Sequence, residues 1–221
     1  MIRAVLFDMD GTVIDSMPIY RRGWLYAAGK AGVSGEEIIS LTDCFSGMNG
    51  AGVADFLHSR FGKDYPAEKL LEWRNDFVSE EVEAKGVPFK PGVPEIFDRL
   101  ARMGIRSALA TGSRRSRVEL ILSKTGLGSR FETVVTGNDI QNSKPAPDIF
   151  LVAAKSLGLS PADCAVAEDA PNGVRAGYAA GMSVAMIPDL SPCPAEIAPM
   201  VRWHLASLAE LPDAIAASQL Q

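Results

Sequence analysis

The sequence predicts an α/β protein built on a doubly wound parallel sheet, with an α-helical segment inserted after the first strand. The first observation is a continuous apolar run at Ala4–Phe7, which lacks alternation and therefore fits a strand covered on both faces. The second is the region from Pro91 onward, where helical periods alternate with short apolar runs as they do in parallel sheets. The third is the region 16–86, which shows helical periods alone.

Composition and charge narrow the class of protein further. The chain has 221 residues, enough for one large domain or for a core with a smaller insert. The net charge of −5 argues against nucleic-acid binding, and no apolar run is long enough to span a membrane. Asp8 comes too early for a secretory signal, and the three scattered cysteines lack Cys-x-x-Cys spacing. We therefore expect a cytoplasmic protein with neither nucleic acid nor a membrane as its partner.

The first strand ends in two acidic residues, Asp8 and Asp10, which are followed by Gly11 and Thr12. In an open α/β sheet the ligand site lies beyond the carboxyl ends of the strands, so both carboxylates stand where chemistry takes place. Side chains alternate along a strand, which places Asp8 and Asp10 initially on one side, and Gly11 permits a sharp turn with positive φ. Two such close acids repel unless one is protonated or a cation lies between them. An ordinary turn is the alternative interpretation.

The insert is predicted to consist of helices and loops. Its elements, in order, are a helix from Met17 capped by Ser16, a helix opened by a capping box at 34–37, a glycine-rich loop at 45–52, a helix at 52–60 and a long helix after Pro66. We predict that residues 16–86 form a cap domain and that residues 1–15 and 87–221 form the core.

Helices and strands alternate in the core after residue 91. The predicted elements are a helix through Ile96, Leu100 and Met103, strands at 105–110, 133–135, 164–167 and 183–187, helices at 115–125, 148–157 and 171–180, a proline-rich loop at 188–199 and an edge strand at 201–205. This alternation predicts parallel strands.

A hydroxyl-rich turn follows the strand that ends near residue 110. Thr111, Gly112 and Ser113 lie there, and hydroxyl and backbone N–H groups at a strand end that opens a helix form a phosphate cradle. A helix N-cap at Ser113 is the alternative. Three arginines follow at 114, 115 and 117, and their pattern fits either the attraction of anions or a solvated basic face.

Two further motifs place charged side chains at the same edge of the sheet. Lys144 lies between closely spaced prolines that restrict where its ammonium points, and a held ammonium neutralises both a phosphoryl oxygen and a neighbouring carboxylate. Glu168 and Asp169 follow an apolar strand, and hard oxygen ligands suit Mg²⁺. A cap on the helix at Pro171 is the alternative for Asp169, but two adjacent acids exceed what capping requires.

These four motifs, in this order, resemble the complete set of the haloacid dehalogenase-like superfamily. Nearly the whole chain is similar to its β-phosphoglucomutase-like and phosphoglycolate phosphatase-like group, in which a helical cap follows the first motif. The matching strings are Phe-Asp-Met-Asp-Gly-Thr, the Asp15-Ser16 pair that opens the cap, Ser-Lys-Pro-Ala-Pro-Asp-Ile-Phe, and Glu-Asp-Ala-Pro-Asn-Gly. The resemblance implies a Rossmann-like core.

The resemblance also implies a role for each motif. Asp8 is expected to be the nucleophile and Asp10 the general acid/base. Mg²⁺ is expected to be held by Asp8, the backbone carbonyl of Asp10 and Asp169, with Glu168 close by. The implied phosphate- and substrate-binding residues are Thr111, Gly112, Ser113, Lys144, Asp15 and Arg74.

The activity that follows is Mg²⁺-dependent hydrolysis of a small phosphate monoester through an aspartyl-phosphate, with a sugar phosphate and a phosphoglycolate-like acid both open. We expect a small phosphorylated metabolite as the partner, and a monomer or weak dimer. The cap is expected to close over the site and to select the substrate.

A phosphomutase of the β-phosphoglucomutase type is the main rival to this activity. In those mutases a histidine of the first cap helix pairs with the general acid/base, and an arginine after the second cap helix grips a second phosphate. The corresponding residues here are Tyr20 and Gly50, which carry no charge near pH 7, although Arg74 keeps a cation where the mutases have a lysine. We therefore expect water, rather than a sugar hydroxyl, to receive the phosphoryl group.

A signalling phospho-receiver fits the motifs less well than either enzyme. It shares the sheet, the acids, a threonine and a lysine, but the insert and the Asp-x-Asp-Gly-Thr string argue against it. A non-catalytic binding protein would be expected to lack some of these residues. Dehalogenases and phosphonatases of the superfamily lack the second acid, so Asp10 excludes them.

Overall fold

The computed structural model describes residues 1–189 and 193–219, and its centre is a six-stranded parallel sheet. The strand order is β3-β2-β1-β4-β5-β6. The strands are β1 (Ala4–Phe7), β2 (Arg106–Ala110), β3 (Thr133–Val135), β4 (Cys164–Glu168), β5 (Ser183–Met186) and β6 (Trp203–His204). Every pairing is parallel, as the alternation of helices and strands predicts.

Strand β1 lies in the middle of the sheet and is buried on both faces. Val5 and Phe7 belong to one hydrophobic cluster, whereas Ala4 and Leu6 belong to another. Each cluster is completed by helices of the core. These helices are α6 (Glu95–Arg102), α7 (Arg115–Thr125), α8 (Asp148–Ser156), α9 (Pro171–Ala179) and α10 (Leu211–Gln219). The predicted doubly wound α/β fold is therefore confirmed.

The insert at residues 16–86 is helical, as predicted. It contains α1 (Met17–Ala31), α2 (Gly35–Ser40), α3 (Thr42–Phe45), α4 (Gly50–Phe61) and α5 (Ala67–Lys85). These helices enclose a hydrophobic cluster of their own, which includes Trp24, Leu57 and Leu70. Ile19 and Val78 instead join the core cluster, so part of α1 and part of α5 pack on the core.

Side-chain hydrogen bonds fix the starts of two helices of the insert. The capping box is confirmed, because the Ser34 hydroxyl oxygen accepts the backbone N–H of Glu37 at 3.2 Å. Helix α4 begins two residues before the predicted start, since the side chain of Asn49 accepts the N–H of Gly52 at 2.9 Å. Ser16 occupies the N-cap position of α1, as predicted, but its hydroxyl makes no capping bond and donates to Asp10 instead.

Several elements differ from the sequence prediction in extent. Helices α3 and α10 have no counterpart in that prediction, and the edge strand shortens to two residues. Residues 190–192 of the predicted loop at 188–199 lie outside the described residues. Within the part of the chain that the structure describes, no helix is both long enough and apolar enough to cross a membrane.

Candidate active site

Two neighbouring strands bring three acidic residues together. Strands β1 and β4 pair in parallel with Phe7 opposite Ala167, so the residues after Phe7 meet the end of β4. Between these two strands the winding of the sheet changes direction, which is where doubly wound folds place their ligands. Oxygen atoms of Asp8, Glu168 and Asp169 all lie within 4.8 Å of one another, and all three residues are buried.

Lys144 is the cation that faces this cluster. Its side chain is completely buried, and its ammonium donates to Oδ1 of Asp8 at 2.6 Å and to Oε1 of Glu168 at 2.5 Å. A third bond goes to the carbonyl oxygen of Ala110 at 3.2 Å. The ammonium therefore joins the ends of β1, β2 and β4.

The charge in this cluster is unbalanced in the absence of another cation. Burial raises the pKa of Asp8 to about 7, although the Lys144 ammonium opposes the rise and the charge of Glu168 adds to it. Burial also raises the pKa of Asp169 well above its usual range. Burial alone would lower the pKa of Lys144, but Asp8 and Glu168 hold it above its ordinary value. Among the described residues, three clustered carboxylates face one ammonium.

This donor set fits a hard divalent cation. Carboxylate oxygens are the ligands that such ions prefer, and an added positive charge would relieve the repulsion among the acids. Asp8 and Asp169 also line the cavity described below. Both oxygens of Glu168 are already engaged, because Oε1 accepts from Lys144 and Oε2 accepts the N–H groups of Asp169 and Ala170 at 3.1 Å each.

The turn after β1 holds Asp169 in place. Gly11 has φ +83°, which confirms the predicted positive φ, and a Cβ added there would lie 2.3 Å from Oδ2 of Asp169. Thr12 donates its hydroxyl to Oδ1 of the same carboxylate at 3.0 Å. Asp169 is not the cap of α9, since Ala170 occupies that position and no side chain makes the capping bond.

Asp10 occupies a second and very different environment. Its Oδ1 accepts from the Ser16 hydroxyl at 2.6 Å and from Nη2 of Arg117 at 2.8 Å. Its Oδ2 accepts from the Ser113 hydroxyl at 2.7 Å and from Nη1 of Arg117 at 2.8 Å. Burial alone would raise the pKa of Asp10, but the Arg117 guanidinium and these hydrogen bonds hold it below its ordinary value.

Arg117 has a role that its sequence pattern did not reveal. It is not part of a solvated basic face, because only 8% of it is exposed. It stands in α7 beside Val118 and one turn before Ile121, both of which are buried. A cation at an inward-facing position of an amphipathic helix is the sequence signal that could have identified it.

The predicted phosphate cradle lies beside Asp8 and Asp10. Thr111 is buried, and its hydroxyl oxygen accepts the N–H of Ser113 at 3.2 Å. Gly112 packs so closely on the insert that an added Cβ would lie 3.0 Å from the carbonyl oxygen of Gly47. Ser113 is not the helix cap, because Arg114 occupies the N-cap position of α7.

A cavity of about 280 Å³ opens between the sheet edge and the insert. The core contributes Asp8, Asp10, Thr111, Gly112, Ser113 and Asp169, and the insert contributes Tyr20, Trp24, Phe45 and Arg74. A cavity of this size and mixed polarity suits a small metabolite.

The predicted substrate-binding residues Asp15 and Arg74 differ in whether they line the cavity. Arg74 lines the cavity, with its guanidinium 4.4 Å from the ring centre of Trp24 and bonded to Oδ1 of Asn75 at 2.7 Å. Burial lowers the pKa of Arg74 to about 10. Asp15 is not among the described residues that line the cavity, and its carboxylate lies 4.0 Å from the ammonium of Lys90.

A positively charged side chain lies beside Gly50, although Gly50 itself carries no charge. A Cβ added to Gly50 would lie 3.9 Å from Nη2 of Arg114, and both residues line the cavity. Arg114 comes from the core rather than from the insert. A cation is therefore present next to a position that carries no charge of its own.

Comparison with known proteins identifies the family. The model of the haloacid dehalogenase-like hydrolases matches residues 2–181. Hexitol phosphatase A of Escherichia coli is 32% identical over 183 residues, which are 82% of this chain and 81% of that protein. The crystal structure of CbbY from Rhodobacter sphaeroides in complex with phosphate superposes with a TM-score of 0.79 at 26% identity, covering 96% of each chain. A β-phosphoglucomutase from Clostridium difficile shares the fold at 19% identity, with a TM-score of 0.79 and 100% coverage of both chains.

The chain belongs to the haloacid dehalogenase-like hydrolase family, which confirms the resemblance drawn from its motifs. It shares its fold with solved β-phosphoglucomutases, its curated relatives include named phosphatases, and it is an enzyme of the phosphatase type. Members of this family generally use a divalent metal, and the acidic cluster at the end of β1 and β4 fits that use.

Proposed function

We propose that this protein is a Mg²⁺-dependent phosphatase that hydrolyses a small phosphate monoester through an aspartyl-phosphate on Asp8. The observation that carries the proposal is the buried group of Asp8, Glu168 and Asp169 around Lys144, with Asp8 open to the cavity. A carboxylate that is held by an ammonium and faces a substrate cavity is placed to act as a nucleophile.

The reaction proceeds in two displacements. An oxygen of Asp8 attacks the phosphorus, the bond from phosphorus to the ester oxygen breaks, and Asp10 in its protonated form gives a proton to the departing alcohol. The Arg117 guanidinium lowers the pKa of Asp10, so this carboxylate takes up a proton from solvent before the step. Water then attacks the phosphorus, the bond to Asp8 breaks, and Asp10 takes the proton of the water. Thr111, the Gly112 N–H and Lys144 stabilise the charge on the phosphoryl oxygens.

Asp8, the backbone carbonyl of Asp10 and Asp169 are proposed to hold Mg²⁺, which supplies positive charge beside the phosphoryl oxygens. Glu168 serves the site indirectly. Its two oxygens fix Lys144 and the backbone after β4, so it positions the ammonium against Asp8. Thr12 orients Asp169.

We further propose that residues 16–86 act as a cap domain on a core of residues 1–15 and 87–221. The insert supplies one wall of the cavity, so it selects the part of the substrate beyond the phosphate. Hexitol phosphatase A is named for hexitols, which favours a sugar or sugar-alcohol phosphate over phosphoglycolate here. A cytoplasmic monomer or weak dimer is proposed, in keeping with three free cysteines.

The test is hydrolysis of a panel of hexitol phosphates, aldose phosphates and phosphoglycolate, with phosphate release measured in Mg²⁺ and in excess chelator. We expect Mg²⁺-dependent release from at least one sugar or sugar-alcohol phosphate. Release at the same rate in chelator would refute the metal requirement. A protein that hydrolyses none of the panel would refute the phosphatase proposal.

A phosphomutase remains the second candidate, because Arg114 places a cation beside Gly50. That cation weakens the argument that a second phosphate would find no positive charge there. β-Glucose 1-phosphate with a trace of the 1,6-bisphosphate separates the two candidates. We expect free phosphate to form faster than glucose 6-phosphate, and the reverse would establish the mutase.

A further inference from the structure

The carboxylate of Asp10 is held at four points by groups of this chain. Ser16 and Ser113 each donate one hydroxyl bond, and the two Nη atoms of Arg117 donate one bond to each carboxylate oxygen at 2.8 Å. A guanidinium that binds both oxygens fixes the plane of a carboxylate as well as its position. Single hydroxyl bonds do not impose this constraint.

A residue of the insert also contacts the guanidinium of Arg117. The ring centre of Tyr20, in α1, lies 4.7 Å from Cζ of Arg117, which is within the range of a cation–π contact. The Nε of Arg117 is buried and has no hydrogen-bond partner among the described residues. Asp10, Ser113 and the Tyr20 ring are therefore the groups that fix this side chain.

We propose that Arg117 is a positioning residue for Asp10, and that Tyr20 of the insert holds Arg117 in the forked arrangement. Asp10 in the core is thereby aligned through a contact with the insert. This inference rests on the proposed function, since it concerns the group that transfers the proton.

The two displacements differ in how much they need Asp10, and this difference makes the inference testable. The leaving group of p-nitrophenyl phosphate is a stable phenolate that needs no proton from Asp10. The leaving group of phenyl phosphate, which has nearly the same shape, departs less readily without one. Attack of water on the aspartyl-phosphate needs Asp10 with either ester. A misaligned Asp10 should therefore slow the second displacement in both cases and the first mainly with phenyl phosphate.

The main experiment compares Arg117→Gln with Arg115→Gln, which removes an exposed arginine of the same helix that pairs with Asp139. With Mg²⁺ and p-nitrophenyl phosphate, Arg117→Gln should keep an initial burst of about one nitrophenol per enzyme and then turn over about 100-fold more slowly than wild type, in line with the usual contribution of general acid–base catalysis. With phenyl phosphate the burst should disappear. Arg115→Gln should match wild type.

Two further variants separate alignment from charge and from folding. Arg117→Lys keeps the positive charge but cannot form the fork, so its rate should lie between those of wild type and Arg117→Gln. If Arg117→Gln does not fold, the two esters are compared with Arg117→Lys instead. Tyr20→Ala should slow turnover about fivefold through loss of the cation–π contact, and Tyr20→Phe, which keeps the ring, should slow it less.

The outcomes distinguish this inference from the proposed function. A wild-type protein that hydrolyses neither these esters nor any sugar phosphate of the panel in Mg²⁺ overturns both. An active wild type whose folded Arg117 variants keep their rates overturns the inference alone. So does a variant that loses the p-nitrophenyl burst and steady turnover together, because Arg117 would then act on Asp8 or on phosphate binding.

Discussion

The two acids of the first motif lie two residues apart yet occupy opposite kinds of environment. At the proposed nucleophile, which we call the nucleophile end, Asp8 shares a buried space with Glu168 and Asp169, and Lys144 is the cation that faces them. At the proposed acid/base, which we call the proton-transfer end, Asp10 accepts hydrogen bonds from one guanidinium and two hydroxyls. The pKa of Asp8 is raised and the pKa of Asp10 is lowered.

This difference supports the proposal that the metal is held at the Asp8 end. Buried charges persist when they are paired, and an excess of carboxylates in a buried space is costly without a further cation. The nucleophile end is therefore incomplete as a set of protein groups, whereas the proton-transfer end is balanced by the chain itself. The following experiments alter one end at a time.

Replacement of the nucleophile should have the largest effect. Asp8→Asn keeps the shape of the side chain but removes the attacking oxygen anion, so turnover should fall by about 10⁴-fold or more, as it does when other nucleophiles are removed. Steady-state phosphate release measures this, with circular dichroism as the check on folding. Wild type with Mg²⁺ should trap beryllium fluoride at Asp8, and the variant should not. Retention of more than about a hundredth of the activity would contradict covalent catalysis by Asp8.

Removal of a proposed metal ligand should have the second largest effect. Asp169→Ala should raise the Mg²⁺ concentration for half-maximal activity by about 10-fold or more, because a hard cation loses one of its few protein carboxylates. Asp213→Ala, which removes an exposed acid from α10, is the control and should leave the metal requirement unchanged. Isothermal titration with Mg²⁺ gives a reading independent of turnover. Equal metal affinity in the two variants would count against Asp169 as a ligand.

The turn between the two ends offers a test of stability. Gly11→Ala places a Cβ 2.3 Å from the Asp169 carboxylate at φ +83°, whereas Gly32→Ala meets nothing within 4 Å at φ +69°. The conformational cost of Gly32→Ala should be about 1–2 kcal/mol. Gly11→Ala should cost more and should also weaken Mg²⁺ binding, because Asp169 has to move. Urea unfolding of both variants measures the difference, and equal losses would show that the close contact is unimportant.

The two ends should also respond to pH with opposite signs. The folded pKa of Asp8 is about 7 against an ordinary 3.8, so its contribution to stability is fully present below about pH 4 and is lost as the pH rises toward 7. The folded pKa of Asp10 is lowered, so its contribution is present above its ordinary value and is lost as the pH falls. In chelator, the free energy of unfolding should therefore fall by roughly 3 kcal/mol between pH 4 and pH 7 because of Asp8. Asp8→Asn should make that fall smaller, leaving the part due to the raised pKa of Asp169, and an unchanged slope in the variant would assign the whole fall to another group.

The motifs at the strand ends could be predicted because their information is local. Asp8 follows an apolar run, and Glu168 and Asp169 follow another, so the topology alone brings them to one edge of the sheet. The turn at Gly11 is equally local, since its positive φ depends on the absence of a side chain. The helical insert could be recognised because its apolar periods differ from those of the strands.

Only the tertiary structure decided which cation belongs to which acid. Arg117 lies 107 positions from Asp10 in the chain, and Tyr20 reaches it from the insert. The helical period places Arg117 on the inward face with Val118 and Ile121, but its pairing with Asp10 is set only when the helix is packed against the core. Glu168 is a second example. The sequence suggests it as a metal ligand, whereas in the structure its two oxygens bond to Lys144 and to backbone N–H groups. The sequence determines which charges reach the sheet edge, but their pairing depends on distances between segments that local patterns do not encode.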